Sequence, residues 1–141
     1  QVRAAIAQAS LVANPGCYPT AASLALLPLL RAGLIDGDSI IISAASGVSG
    51  AGREPKAHTT LVEAGENFST YGIGVHRHQP EIRQTLITFG QEQGARAKGT
   101  LFVPHLLPIE RGILETIYAT PAKSTSTDSL KNALRQGYAN E

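Results

Sequence analysis

The amino-acid sequence predicts one α+β domain over residues 1–141, with helices packed on a mixed, largely antiparallel sheet. Helical and β-rich patterns alternate irregularly along the chain, which favours a mixed sheet over the regular alternation of a doubly wound fold. The chain has 141 residues, of which 43% are hydrophobic and 16% are charged. That length and composition are sufficient for a single domain with its own hydrophobic core.

The first half of the chain contains two helical patterns and one strand. Residues 2–9 form a short helical pattern, and residues 20–34 place leucines at helical spacing. Pro28 inside the second pattern should bend the helix or remove one of its backbone hydrogen bonds. Residues 38–45 are typical of a buried strand, and residues 46–53 (SGVSGAGR) of a glycine loop.

The second half predicts a helix, two strands and a closing helix. Residues 80–94 have proline in the first turn and glycine after the end, which is typical of one helix. The β-rich runs 99–109 and 111–121 are separated by a short Glu-Arg-Gly turn, which predicts that they pair with each other. Residues 125–139 are predicted to form an amphipathic helix with hydroxyl and Asp caps at its start.

The composition argues against several classes of partner. The formal net charge is +1 at pH 7, which indicates neither a nucleic-acid-binding nor a membrane-surface patch. No apolar run approaches the ~18 residues of a membrane span, and the first residues do not resemble a signal peptide. The single cysteine cannot form an internal disulfide, so a reducing compartment is expected.

The single cysteine, Cys17, lies in the segment NPGCYPT, between a Pro-Gly turn and a proline that can open a helix. If the helix begins at Tyr18 or Pro19, the thiol lies beside unpaired backbone N–H groups at the positive end of the helix. That position favours the thiolate, which is the nucleophilic form of the side chain. The alternative interpretation is a small, buried, unreactive hydrophobic residue.

Histidine is the natural partner for such a thiol, because imidazole exchanges protons near pH 7. His76 and His78 occur together in GVHRHQPEI, just before a predicted helix. If this segment is extended, the two point the same way and Arg77 points the opposite way. The alternative is a polar, hydrogen-bonded loop, and His58 and His105 are interpreted as structural.

Two other kinds of site are not favoured. His-x-His with one cysteine and a further histidine could supply four zinc ligands, but the spacing matches no familiar pattern, so no metal site is predicted. The loop GVSGAG has the reverse order of the dinucleotide-binding fingerprint. Its glycines suit a tight turn or the close approach of a ligand, and no complete nucleotide-binding unit is predicted in this chain.

Four motifs in order along the chain together resemble the N-acetyl-gamma-glutamyl-phosphate reductase family. They are NPGCYPT, SGVSGAGR, HRHQPEI and PHLLPIERGILETIYA, and the resemblance extends from Leu11 to Tyr138. The residues CYPT favour this family over the similar group that reduces an amino-adipyl phosphate on a carrier protein. The resemblance implies a catalytic and oligomerisation domain related to the C-terminal domain of glyceraldehyde-3-phosphate dehydrogenase.

The resemblance also implies roles for individual residues. Cys17 matches the nucleophile and His78 best matches the acid/base histidine, with His76 the less favoured candidate and a residue expected to bind substrate. The phosphate and carboxylate of the substrate need cationic donors, for which arginine forks are suited. The candidate arginines, each of which could instead form surface ion pairs, are Arg53, Arg77 and Arg111. The residues expected to contact the cofactor are Ser46, Gly47 and Gly50.

The implied activity is the NADPH-dependent reduction of N-acetyl-glutamyl 5-phosphate to the 5-semialdehyde in arginine biosynthesis, through a cysteine thioester and with release of phosphate. A cytoplasmic homo-oligomer, either dimer or tetramer, is expected. Family members begin with a Rossmann domain and continue further at the other end, so this sequence is expected to be an excised domain, or one piece of a split protein, that is inactive alone. The alternatives are a cysteine hydrolase with the same Cys/His pair and a non-catalytic assembly module.

Overall fold

The computed structural model describes residues 3–52, 54 and 56–139. Within them the chain forms six α-helices, four strands and short 3₁₀ turns. In chain order, the helices and strands are α1 (Arg3–Gln8), α2 (Cys17–Arg31), β1 (Ile41–Ser46), α3 (Leu61–Ala64), β2 (Ser69–Thr70), α4 (His78–Phe89), α5 (Gln91–Ala95), β3 (Leu101–Leu106), β4 (Ile113–Tyr118) and α6 (Thr127–Gly137).

The four strands form one sheet in the order β2-β3-β1-β4. β1 runs parallel to β3 and antiparallel to β4, while β2 runs antiparallel to β3. The predicted α+β class with a mixed, largely antiparallel sheet is therefore confirmed.

The predicted pairing of the last two β-rich runs is wrong, because β1 lies between β3 and β4. The connection between the two strands does not form a tight turn. Instead, the carbonyl oxygens of Ile109 and Glu110 accept hydrogen bonds from the backbone N–H groups of Val48 and Ser49. The connection thus crosses the end of β1 and holds the glycine loop that follows it.

The hydrophobic core lies between one face of the sheet and the helices α2 and α4. Alternate residues of the central strands point into it, among them Ile42 and Phe102, which are fully buried. On α2, Leu26 and Leu30 lie one helical turn apart and supply buried side chains to the same cluster. The leucine spacing that predicted this helix therefore describes its buried face.

The second helix contains the predicted irregularity at Pro28. Proline has no backbone N–H, so it cannot donate to the carbonyl of Leu24 one turn earlier. The hydroxyl of Tyr138, just after α6, donates to that carbonyl instead. The hydrogen bond that the helix loses internally is therefore replaced by one from the chain's last helical segment.

The prediction of one helix over residues 80–94 is wrong. α4 begins two residues before Pro80 and ends at Phe89, and α5 follows after Gly90. A Cβ on Gly90 would lie 2.6 Å from the carbonyl oxygen of Leu86, so the chain folds back too closely there for any other residue. The predicted helices at the two ends of the chain are confirmed, and Ser126 and Ser129 form a reciprocal cap at the start of α6.

Candidate active site

The thiol of Cys17 stands on the first residue of α2 and is exposed. The helix begins one residue earlier than predicted, and no described side chain caps it. The N–H groups of its first turn are therefore not occupied by a capping side chain, and the helix dipole places partial positive charge there. An exposed thiol in this position does not fit the buried-hydrophobe interpretation.

His78 lies directly against the turn that precedes the cysteine. A Cβ placed on Gly16 would lie 2.5 Å from Nε2 of His78, so only glycine leaves room for the imidazole. The backbone N–H of Gly16 donates to Oε1 of Glu81 at 2.9 Å, and Oε2 of Glu81 lies 4.0 Å from Nε2 of His78. The first turn of α4 thus places an imidazole and a carboxylate against the residue before Cys17.

Sequence reasoning missed both Gly16 and Glu81. The available signal was the spacing, since Glu81 follows His78 by three residues and the two share one face of a helix. The role of Gly16 has no local signal beyond its place in a turn, because it depends on a contact with a residue 62 positions later.

His76 lies in a turn and not in an extended segment. The backbone N–H groups of Val75 and His76 both donate to the carbonyl of Gly72. The rings of His76 and His78 nevertheless lie 4.9 Å apart between centroids. Arg77 lines the same cavity as both of them, and the opposite orientation expected for an extended segment does not apply to this turn.

The hydrogen bonding defines the tautomer of His76. Its Nδ1 accepts the backbone N–H of His78 at 3.1 Å, so the neutral ring carries its proton on Nε2. Burial lowers the pKa of both histidines. For His76 the charge of His78 adds to this effect, whereas for His78 the carboxylate of Glu81 partly opposes it. Both rings therefore favour the neutral form.

Two cavities meet at Cys17. The first has a volume of about 350 Å³ and the second about 370 Å³. The first is lined by Cys17, Tyr18, Gly50, Ala51, Lys56, Tyr71, His76, Arg77 and His78. The second is lined by Cys17, Ser46, Gly47, Ser49, Gly50, Gly112 and Ile113. The thiol therefore stands between a cationic, histidine-containing cavity and the glycine loop.

The structure brings together most of the predicted site residues. Those that line a cavity with Cys17 are His76, Arg77 and His78 in the first, Ser46 and Gly47 in the second, and Gly50 in both. Arg111 is exposed and lines neither cavity, although its backbone packs on Gly47. Arg53 lies outside the described residues, as does the side chain of His58.

Sequence reasoning also missed Lys56 and Tyr71, which line the first cavity. Neither has a local signal, because a loop lysine or tyrosine is usually a solvated side chain. His105, interpreted as structural, bonds through Nδ1 to the carbonyl of Ala44 and stacks on Phe68, away from both cavities.

Two further features of the described part of the chain concern possible partners. It contains no cluster of three or more His, Cys, Asp or Glu residues arranged to hold a metal ion. It also contains no helix with the length and hydropathy needed to cross a membrane.

Comparison with known proteins gives a consistent result. Residues 17–141 match the family described as semialdehyde dehydrogenase, dimerisation domain. Three curated relatives carry the name N-acetyl-gamma-glutamyl-phosphate reductase. The chain is 52% identical to the protein of Moorella thermoacetica, 52% to that of Rhodospirillum rubrum and 51% to that of Pelobacter propionicus, in each case over 99% of its own length. The resemblance stated from the four motifs is thus confirmed.

The matched region is a minor part of each relative. The chain covers 39%, 38% and 39% of the lengths of these three proteins. It therefore spans about two-fifths of the curated relatives that it matches.

Proposed function

The chain belongs to the semialdehyde dehydrogenase dimerisation-domain family, and we propose that it supplies the catalytic cysteine of an NADPH-dependent N-acetyl-gamma-glutamyl-phosphate reductase. One observation carries the proposal: the exposed thiol of Cys17 lies between a histidine-containing cavity and the glycine loop. The name shared by the relatives supplies the substrate class, an acyl phosphate of N-acetyl-glutamate.

In the first step the Cys17 thiolate attacks the acyl carbon of the substrate. A sulfur–carbon bond forms, the bond from carbon to the phosphate oxygen breaks, and phosphate leaves with its electron pair, so a thioester remains on the enzyme. The N–H groups of Cys17 and Tyr18, in the uncapped first turn of α2, stabilise the negative charge that develops on the acyl oxygen.

The residues of the first cavity have complementary roles. His78 lies against the Gly16–Cys17 turn and moves protons to and from the reacting groups. His76 presents Nε2–H as a hydrogen-bond donor to substrate oxygens. Arg77 and Lys56 supply positive charge for the phosphate and the carboxylate of the substrate. Arg53 and Arg111 stay predictions from the motifs.

The second cavity suits the nicotinamide end of NADPH. A Cβ on Gly50 would lie 2.8 Å from Oγ of Ser46, and one on Gly47 would lie 2.7 Å from the backbone N of Arg111. Only glycine therefore fits at these two positions of the wall, which presents backbone amides and hydroxyls beside Cys17 to the amide-bearing ring. When bound, NADPH supplies the hydride that converts the thioester to the aldehyde and releases the thiolate.

Most of the NADPH contacts are proposed to come from parts of the full-length protein outside this chain. The 141 residues contain no G-x-G-x-x-G motif, which usually cradles the pyrophosphate. The chain alone is therefore proposed to bind NADPH weakly and to be inactive.

The family description, a dimerisation domain, also supports a homo-oligomer, and we propose a dimer or tetramer in the cytoplasm. The sheet face opposite the core exposes Ile41, Leu101, Leu114 and Tyr118, and we assign this face to a second copy of the chain.

The geometry favours reduction over a cysteine hydrolase. A hydrolytic Cys/His pair commonly needs a third residue that orients the far nitrogen of the histidine. Among the described residues, Nδ1 of His78 is buried and has no hydrogen-bond partner. Glu81 is near Nε2, on the side facing the Gly16–Cys17 turn, and so does not orient the ring as in a triad.

The Cys17→Ser variant of the full-length protein tests the proposal. We expect reduction to be abolished with an unchanged melting temperature, because a serine alkoxide is far scarcer than a thiolate at neutral pH. Mass spectrometry after incubation with the acyl phosphate and without NADPH should show an acylated Cys17 peptide only in the wild type. Turnover within about tenfold of wild type, only ~1.4 kcal/mol of barrier, would overturn the proposal. Release of the free acid without NADPH consumption would indicate the hydrolase.

A further inference from the structure

One buried phenol, that of Tyr18, lines the first of the two cavities that meet at Cys17. Tyr18 is only 2% exposed, and its hydroxyl lies 2.9 Å from the hydroxyl of Tyr71. The start of α2 and the turn 71–77 therefore meet at this pair of hydroxyls.

The rings of Tyr18 and Tyr71, together with that of Phe102, surround His76. The ring centroid of His76 lies 5.9 Å from that of Tyr18, 5.4 Å from Tyr71 and 5.4 Å from Phe102, each in an edge-on arrangement. Such edge-on contacts between rings are directional, so they define the plane of the imidazole as well as its position. Nδ1 is already bonded to the N–H of His78, so the orientation of the ring decides where Nε2–H points.

The turn that carries His76 contains two glycines and is closed by hydrogen bonds from Val75 and His76 to the carbonyl of Gly72. Gly72 and Gly74 both adopt positive φ, at 61° and 74°, and glycine has the greatest backbone freedom in the unfolded and loosened chain. The backbone N–H of Tyr71 donates to the carbonyl of Pro104 at 3.2 Å, which ties the start of the turn to β3. A side-chain tie to α2 adds a second, independent anchor.

We propose that the hydroxyl pair of Tyr18 and Tyr71 clamps the turn 71–77 onto the start of α2 and so positions His76 beside Cys17. The inference rests on the proposed function only in that His76 contacts the substrate. Tyr18 and Tyr71 are positioning residues, since they act through the histidine.

A double-mutant cycle with Tyr18→Phe and Tyr71→Phe in the full-length protein tests the clamp. Each variant removes one hydroxyl and keeps the ring. We expect each to lower kcat/KM about three- to tenfold, since a net hydrogen bond is typically worth a factor of this size. The kcat/KM of the double variant should be no lower than that of the less active single variant, because both substitutions break the same hydrogen bond.

Nuclear magnetic resonance of labelled histidines gives a readout that does not depend on activity. In the wild type, neutral His76 should be the Nε2–H tautomer. In either variant, the ring should sample both tautomers, and its titration midpoint should rise toward 6.5 because a more solvated ring has its pKa lowered less by burial. Arg77 and His78, which lower the pKa of His76 when charged, remain beside it.

Tyr138→Phe is the matched control, since it removes a bonded tyrosine hydroxyl remote from both cavities. It should leave the histidine titrations and kcat/KM unchanged.

Multiplicative losses in the double variant, or an unchanged His76 resonance in both single variants, would overturn the clamp. If Tyr18→Phe does not fold, Tyr71→Phe on the turn alone decides through the same resonance. If the wild type has no reductase activity but the two variants show the expected tautomer change, the proposed function is overturned and the clamp is supported.

Discussion

The two ends of α2 differ in how the chain treats missing helix hydrogen bonds. At the first turn no described side chain caps the backbone, and the exposed thiol stands there with an imidazole packed on the preceding glycine. In the second half, the bond that Pro28 cannot make is replaced by the hydroxyl of Tyr138. The comparison teaches that one helix combines the proposed reactive end, at Cys17, with a scaffold in its second half. Substitutions at the first end should change rates, and those at the second should change stability.

The largest effect at the reactive end should come from the histidines. His78→Asn in the full-length protein should lower kcat by about 10²–10⁴, the usual contribution of general acid–base catalysis. His76→Asn should mainly raise KM, because a donor to bound substrate acts on binding. Steady-state kinetics with unchanged melting temperatures would support this assignment. A larger kcat loss in His76→Asn would reverse the two roles.

A steric change beside the thiol should have the next largest effect. Gly16→Ala adds one methyl group at a position where it would lie 2.5 Å from Nε2 of His78. The backbone at Gly16 is extended and tolerates alanine, so the fold should survive while the imidazole is displaced. We expect kcat to fall by up to about 10²-fold, as for other small misplacements of catalytic groups.

Gly33→Ala is the control for this experiment, because a Cβ there meets no atom within 4 Å but is strained by a φ of 65°. It should reduce stability without changing kcat. Equal kcat losses for the two variants would mean that the contact with His78 does not matter.

On the scaffold side, Glu115 on β4 should make stability depend on pH. Both carboxylate oxygens are buried without a hydrogen-bond partner among the described residues, and burial raises the pKa to about 7. The folded state therefore binds this proton more tightly than the unfolded state. The stabilising contribution is complete below the unfolded pKa near 4.5 and is lost as the pH rises through 7.

The variant Glu115→Gln should remove that dependence. Relative to wild type, its melting temperature should rise progressively between pH 5 and pH 8, while reductase kinetics at a given pH stay the same. Thermal unfolding followed by circular dichroism at several pH values measures this difference. A constant difference over the whole range would show that the carboxyl group does not titrate with folding.

The smallest effect is expected from the hydrogen bond that the hydroxyl of Tyr138 donates to the carbonyl of Leu24. Tyr138→Phe leaves the carbonyl of Leu24 without its donor and should cost about 1 kcal/mol of folding free energy, the usual net value of a hydrogen bond. Chemical denaturation would measure it, and kcat should not change. A kcat loss without destabilisation would show that the two ends of α2 are coupled.

Local chemistry allowed much of this protein to be predicted. Helix periodicity, strand-forming runs and turn residues determine the α+β class, the core face of α2 and the capped final helix, because these depend on neighbours within one or two turns. The position of Cys17 at a helix start follows from the adjacent Pro-Gly turn in the same way. Imidazole chemistry indicated His76 and His78 as partners for this cysteine, and the family resemblance favoured His78.

Tertiary structure alone decided the remaining features. The place of β1 between β3 and β4 depends on hydrogen bonds between segments 60 to 77 residues apart, and no local pattern encodes which strands become neighbours. The contacts of Gly16 with His78 and Glu81 are equally distant in sequence. Lys56 reaches the cavity only because the loop after the glycines folds beside Cys17. Residue type and spacing thus pointed to Cys17 as the proposed nucleophile, whereas packing between distant segments determined what surrounds it.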